Sequence, residues 1–125
     1  MRFLPQRIKG IMRYAIKVNQ GERCPDVPRM AIDFIRALQN EGHEVIRVFF
    51  YHDGVVAGFG PSAPQWAELA EEGGFELVLC SQALDHRGFT LEARAPFIVG
   101  GLGLWVDACL KADRVVTFGL PSHAV

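Results

Sequence analysis

The stretch Val45-Ile46-Arg47-Val48-Phe49-Phe50-Tyr51 constrains the fold more than any other part of the chain. Successive side chains of a strand point to opposite faces. A nearly continuous run of β-branched and aromatic residues therefore needs apolar cover on both sides. That is the condition of a strand inside a parallel sheet with helices above and below. Two further segments read as strands. Arg13-Tyr14-Ala15-Ile16-Lys17-Val18 alternates apolar and polar, and Phe75-Glu76-Leu77-Val78-Leu79 is a short apolar run that ends on Cys80. Asp113-Arg114-Val115-Val116-Thr117-Phe118-Gly119 reads as the last strand.

Helical patterns lie between them. Met30, Phe34, Ile35 and Leu38 recur at helical spacing, with Asp26 as N-cap, Pro28 in the first turn and Gly42 just past the end. Ser62 caps a helix that buries Trp66 and Leu69 and runs to Gly73-Gly74. Ser81 to His86 forms a short helix ending at Arg87-Gly88. From Leu102 to Ala112, Leu102, Trp105, Val106, Cys109 and Leu110 share one face, which places Cys109 in the core. Val55 to Pro64 and Phe89 to Pro96 read as irregular, and Phe97-Ile98-Val99 as a short apolar piece. The main order is strand, helix, strand, helix, strand, helix, helix, strand. The expected fold is α/β, a three-layer α/β/α sandwich with a mainly parallel five-stranded sheet.

Composition narrows the function. A chain of 125 residues fits one domain, and a net charge of -1 provides no basic surface for nucleic acid. No apolar run reaches the roughly 20 residues that span a bilayer. The N-terminal decapeptide is basic without an apolar h-region, so it does not read as a signal peptide, and a cytoplasmic location follows as the expectation. Cys24, Cys80 and Cys109 are then expected to be thiols. Their spacing matches no zinc pattern. Gly100-Gly101-Leu102-Gly103 fails the dinucleotide fingerprint, because Val106 stands where the third glycine belongs. Residues 1–12 read as an extension, with Met12 as a candidate initiation site, residues 13–120 as the domain, and residues 121–125 as a tail with His123 exposed.

Chemistry points to Cys80. Ligands of parallel α/β sheets sit outside the carboxyl ends of the strands, and a thiol before a helix N-terminus is favoured as thiolate. The competing reading is that of a small, inert core residue. His52 and Asp53 fall at the carboxyl end of the preceding strand, on the rim of the same crevice or in a solvated turn. His86 and Arg87 either point back and raise the thiolate population or merely end their helix. Cys24 reads as an incidental loop residue.

Tyr14-Ala15-Ile16, Gly42-His43-Glu44, Val48-Phe49-Phe50-Tyr51-His52-Asp53-Gly54-Val55, Leu79-Cys80, Arg87-Gly88, Gly101-Leu102-Gly103 and Ala112-Asp113-Arg114-Val115-Val116-Thr117-Phe118-Gly119 occur in an order that resembles the DsrE/TusD branch of the DsrE/F/H sulfur-relay family. The resemblance implies sulfur carried as a persulfide on Cys80 with no metal or organic cofactor; Arg87, His86 and His52 are the candidate thiolate stabilisers. It implies TusA-like donors and TusE-like acceptors, in 2-thiouridine formation or dissimilatory sulfur oxidation. It also implies assembly with DsrE/F/H paralogues into a heterohexamer, or a homo-oligomer. The segments 55–64 and 89–96 are shorter than usual for that family, and His86-Arg87 replaces its basic pair. Two alternatives stand beside this reading: a non-catalytic structural subunit of such a complex, and a flavodoxin-like small-molecule-binding module.

Overall fold

The computed structural model describes residues 10–90 and 92–120. The apolar run forms β2 (Glu44–Phe50), the middle strand of the sheet. It pairs with β1 (Arg13–Val18) on one side and β3 (Glu76–Cys80) on the other. The edges are β4 (Phe97–Gly100) next to β3 and β5 (Arg114–Phe118) next to β1, and every pairing is parallel. The spatial order is β4-β3-β2-β1-β5. The fifth strand, β4, is the apolar piece that the sequence leaves without an assignment between two helices.

Four helices supply the cover: α1 (Asp26–Asn40), α2 (Ala63–Gly73), α3 (Ser81–His86) and α4 (Leu102–Lys111). The alternation in β2 shows how the layers form. Phe50 meets Trp66 of α2 edge-on at 4.9 Å between ring centroids, while Phe49 faces the other way, toward Trp105 of α4 at 6.1 Å. Phe34 of α1 packs against Tyr14 and Phe118, on the Phe50 side. Thus α1 and α2 cover one face and α4 covers part of the other. The sandwich is three-layered, but unequally so.

Arg47 is the polar member of the apolar run, and it is 9% exposed. Its guanidinium donates to Glu76 at the start of β3 at 2.7 Å, to Asp107 of α4 at 2.9 Å and to the Leu104 carbonyl at 2.8 Å. Burial opposes its charge, but the bonds and charges of Asp107 and Glu76 outweigh that and raise its pKa. The guanidinium, helped by Lys111, holds the Asp107 carboxyl below the usual carboxylate range.

Several local expectations are corrected. Pro25, not Asp26, occupies the N-cap of α1, and the Asp26 carboxylate pairs with Arg29 instead. Met30 is 57% exposed, because the buried stripe runs through Ala31, Ile32, Ile35 and Leu38. In α4 only Ala108 is fully buried. Leu102, Val106 and Leu110 are exposed and Cys109 is half-buried, because among the described residues no other helix packs on the outer side of α4. The segment 55–64, expected to be irregular, instead begins inside a 3₁₀ helix, His52–Gly58, and ends inside α2, which starts at Ala63. The proposed 1–12 extension lies outside the described residues up to residue 9, while Met12 already bonds to His43 and Glu44. The proposed tail, with His123, lies outside the described residues.

The Arg47 cluster generates a testable expectation. Glu76 and Asp107 are half exposed, so Arg47→Met returns them to water and costs about 1–3 kcal/mol in urea unfolding. The depressed Asp107 contributes stability above the ordinary carboxylate pKa of 3.8, and this is lost as pH falls through its lower folded value. Asp107→Asn should therefore lower the urea midpoint at neutral pH and leave it little changed under strongly acidic conditions.

Candidate thiol site at the carboxyl edge of the sheet

Cys80 ends β3 and is at the same time the N-cap of α3, with an extended backbone (φ -64, ψ 122). The strand therefore turns into helix with no intervening loop. Alternation places the Cys80 side chain on the same face as Val78, the face that carries α4. Its in-register neighbour on β4 is Gly100. On β2 the register Phe50 to Leu79 brings Tyr51 alongside. Cys80 is fully buried, at 0% exposure.

The 3₁₀ helix His52–Gly58 lies against this edge because two glycines let it. A Cβ on Gly54 would stand 2.1 Å from the Val18 carbonyl oxygen, and one on Gly58 would stand 2.5 Å from Leu79 Cδ1. His52 opens the segment at φ +48, a left-handed conformation uncommon outside glycine. It is buried, and its ring packs 4.1 Å from that of Tyr51. His52 is thus near the thiol's edge of the sheet, one ring removed along β2.

Arg87 and His86 are placed differently. Arg87 Nε donates to Asp53 Oδ1 at 2.8 Å, and its Nη1 donates to the Ala83 carbonyl at 3.2 Å. The guanidinium binds the end of α3 to the 3₁₀ helix, and Asp53 takes up its charge. His86 is exposed at the far end of α3 from Cys80, about 9 Å along the axis at the usual helical rise. A cleft of about 480 Å³ opens beside the pair, lined among others by Gly21, Arg23, Asp53, Arg87 and Phe89; Cys80 is not in its lining.

Sequence reasoning missed two arrangements. One is the Asp53–Arg87 pair, 34 positions apart, for which local pattern holds no signal. The other is Lys17, whose ammonium lies 5.5 Å from the Tyr51 ring and 5.6 Å from the Trp105 ring. The polar position in β1's alternation marked Lys17 as different without showing what it faces. Burial pushes the Cys109 thiol up, against the opposing charge of Lys17. Cys24 is half-buried in the loop after β1. Among the described residues, no three or more His, Cys, Asp and Glu side chains come together as metal ligands, and no helix is long and apolar enough to cross a membrane.

Fold and site together define an all-parallel α/β sandwich with one thiol sealed at the carboxyl edge of an inner strand. The chain belongs to the DsrE/DsrF-like family, whose sequence model matches residues 12–118. It is 35% identical over 129 residues to a DsrE of Allochromatium vinosum, covering 86% of this chain and 99% of the relative. It is 34% identical over 128 residues to the sulfurtransferase TusD of Salmonella arizonae, covering 86% and 100%. The fold is similar to that of the YchN protein from E. coli, with a TM-score of 0.73 and 24% identity, covering 86% of this chain and 100% of that one. A Methanobacterium thermoautotrophicum protein of unknown function is similar at a TM-score of 0.68 and 16% identity, covering 84% and 98%.

The Asp53–Arg87 bond is partly exposed, with Arg87 at 17% and Asp53 at 42%. Its coupling energy in a double-mutant cycle of Asp53→Ala and Arg87→Ala should be about 0.5–1 kcal/mol, measured by urea unfolding. Additive effects would show the two ends of the cleft to be independent.

Proposed function

We propose that this protein relays sulfur as a persulfide on Cys80. The observation that carries the reading is the position of Cys80, at the carboxyl end of an inner parallel strand and at the head of a helix, in a DsrE/DsrF-like chain. The names of the DsrE and TusD relatives support sulfurtransferase activity. In the reaction the Cys80 thiolate attacks the outer, sulfane sulfur of an incoming persulfide. The donor's S–S bond breaks and the donor leaves as a thiolate. Cys80 now bears the persulfide, and a partner thiolate attacks its outer sulfur. The S–S bond at Cys80 breaks, and the Cys80 thiolate is restored. The sulfur atom moves in the zero-valent state, the electron pair of each broken S–S bond stays on the departing thiolate, and no external oxidant or reductant enters.

Only a thiolate is a competent attacker. Cys80 is the N-cap residue of α3, and its side chain takes no cap hydrogen bond from that helix in the closed form. Arg87, His86 and His52 are the candidate side-chain contributors, with Arg87 bonded to Asp53. The proposed partners are small carrier proteins of TusA and TusE type, with DsrE/F/H paralogues or further copies of this chain completing the assembly. The even charge balance argues for a place upstream of any tRNA. The proposed compartment is the reducing cytoplasm.

One observation favours a second reading. At 0% exposure, Cys80 is as buried as the core residues around it, as a non-catalytic structural subunit would have it. Intact-mass spectrometry after incubation with a persulfide donor, with peptide mapping, separates the two. The relay reading expects one added sulfur, removable by reductant, in wild type and in Cys24→Ser and Cys109→Ser, and none in Cys80→Ser. Wild type without added sulfur, or Cys80→Ser loaded like wild type, would sink it.

A further inference from the structure

Sulfur transfer requires a partner sulfur to reach Cys80, yet the thiol is closed off on every side. Something must move, and the residues around Gly100 say what. Gly100 lies in register with Cys80. A Cβ added to Gly100 would stand 2.4 Å from Leu104 Cδ1 and 3.3 Å from Val78 Cγ1. The Leu104 side chain therefore fills the space over this end of β3 and β4, on the face where alternation puts Cys80.

The turn that carries Leu104 is weakly built. Gly101 is the N-cap of α4 and offers no side-chain bond to the free N–H groups. No acidic residue stands in the first turn to meet the helix dipole. Gly103 follows inside the helix, where glycine is unfavourable. Neither glycine is required by the fold. A Cβ on either would meet nothing within 4 Å, and neither has a left-handed φ. Residues 101–103 are all exposed. Beyond them the helix is fastened, because Arg47 holds the Leu104 carbonyl and the Asp107 carboxylate. The boundary between the loose and the fastened part of α4 thus falls at Leu104.

We propose that the first turn of α4, Gly101 to Leu104, is the cover over Cys80, and that it unwinds to admit the sulfur of a carrier's cysteine. The inference rests on Cys80 being the sulfur-bearing thiol. Opening releases the Leu104 side chain from its seat beside Val78 and clears the face of β3. The Arg47 clamp keeps the rest of α4 in place, so the opening is local and reversible. Gly101 and Gly103 keep its cost low.

The test uses the full chain and two probes, iodoacetamide and a low-molecular-weight persulfide donor. Gly101→Ser supplies the missing cap and Gly103→Ala raises helix propensity. The double variant should have a higher Tm and alkylate Cys80 about five-fold more slowly than wild type. Leu104→Ala should alkylate Cys80 several-fold faster. Hydrogen exchange at the Leu104 and Trp105 amides should slow in the double variant in proportion. Alkylation of Cys80 at the wild-type rate in both variants would overturn the cover. Sulfur loading that proceeds normally while ignoring both variants would overturn the cover and leave the relay standing. Alkylation that follows the cover without any sulfur loading would overturn the relay and leave the cover standing.

Discussion

The second face of the sheet depends on one guanidinium. A helix with a single fully buried residue contributes little apolar burial, and α4 is such a helix. Arg47 makes up the difference by reaching from the middle strand to β3 and α4 at once. A buried charge without partners is very costly. Two carboxylates and a carbonyl turn that cost into a fixed distance between helix and sheet. They also fix the height of α4 from the Leu104 carbonyl onward. The charged residue in the most apolar run of the chain is therefore a positioning device as well as a core member.

The two faces of the sheet differ in consequence. On one side α1 and α2 seal Phe50, Leu77 and Leu79 completely. On the other, Val115 on β5, Ile98 on β4 and Val106 and Leu110 on α4 remain 42–82% exposed. Scattered apolar side chains are ordinary on a surface, but a group of them on one face marks a contact area. This agrees with the proposed assembly into a larger complex.

Periodicity carried most of the fold. Alternation located β1, apolar runs located β2 and β3, and helical spacing located α1 and α4, because each element buries faces that its own pattern defines. β4 was harder, since four residues at an edge give no period to count. The direction of α4 was misread for a related reason. Leu102, Val106 and Leu110 are as apolar as a core stripe, and sequence does not say whether the cover is this chain or another. At the site, Cys80 was legible from its place between strand and helix. The Asp53–Arg87 bond was not, because it joins segments 34 residues apart whose meeting depends on Gly54 and Gly58 admitting the 3₁₀ helix. The sequence left Arg87 either pointing back at the thiol or ending its helix; among its hydrogen bonds are those to Asp53 and Ala83.

That pairing bears on how a thiol here is tuned. A lone arginine would raise the thiolate population by Coulomb attraction, whereas one bonded to a carboxylate contributes little net field beyond its own contact. Cys80 is the N-cap of α3, yet no N–H of that helix bonds to its side chain, and burial alone disfavours a charged sulfur. On the proposed relay, the closed site would keep water and oxidants from the persulfide, whose outer sulfur is reactive toward both thiols and oxidants. Burial and reactivity would then be complementary demands on one residue, and such a carrier would meet both only by spending most of its time closed.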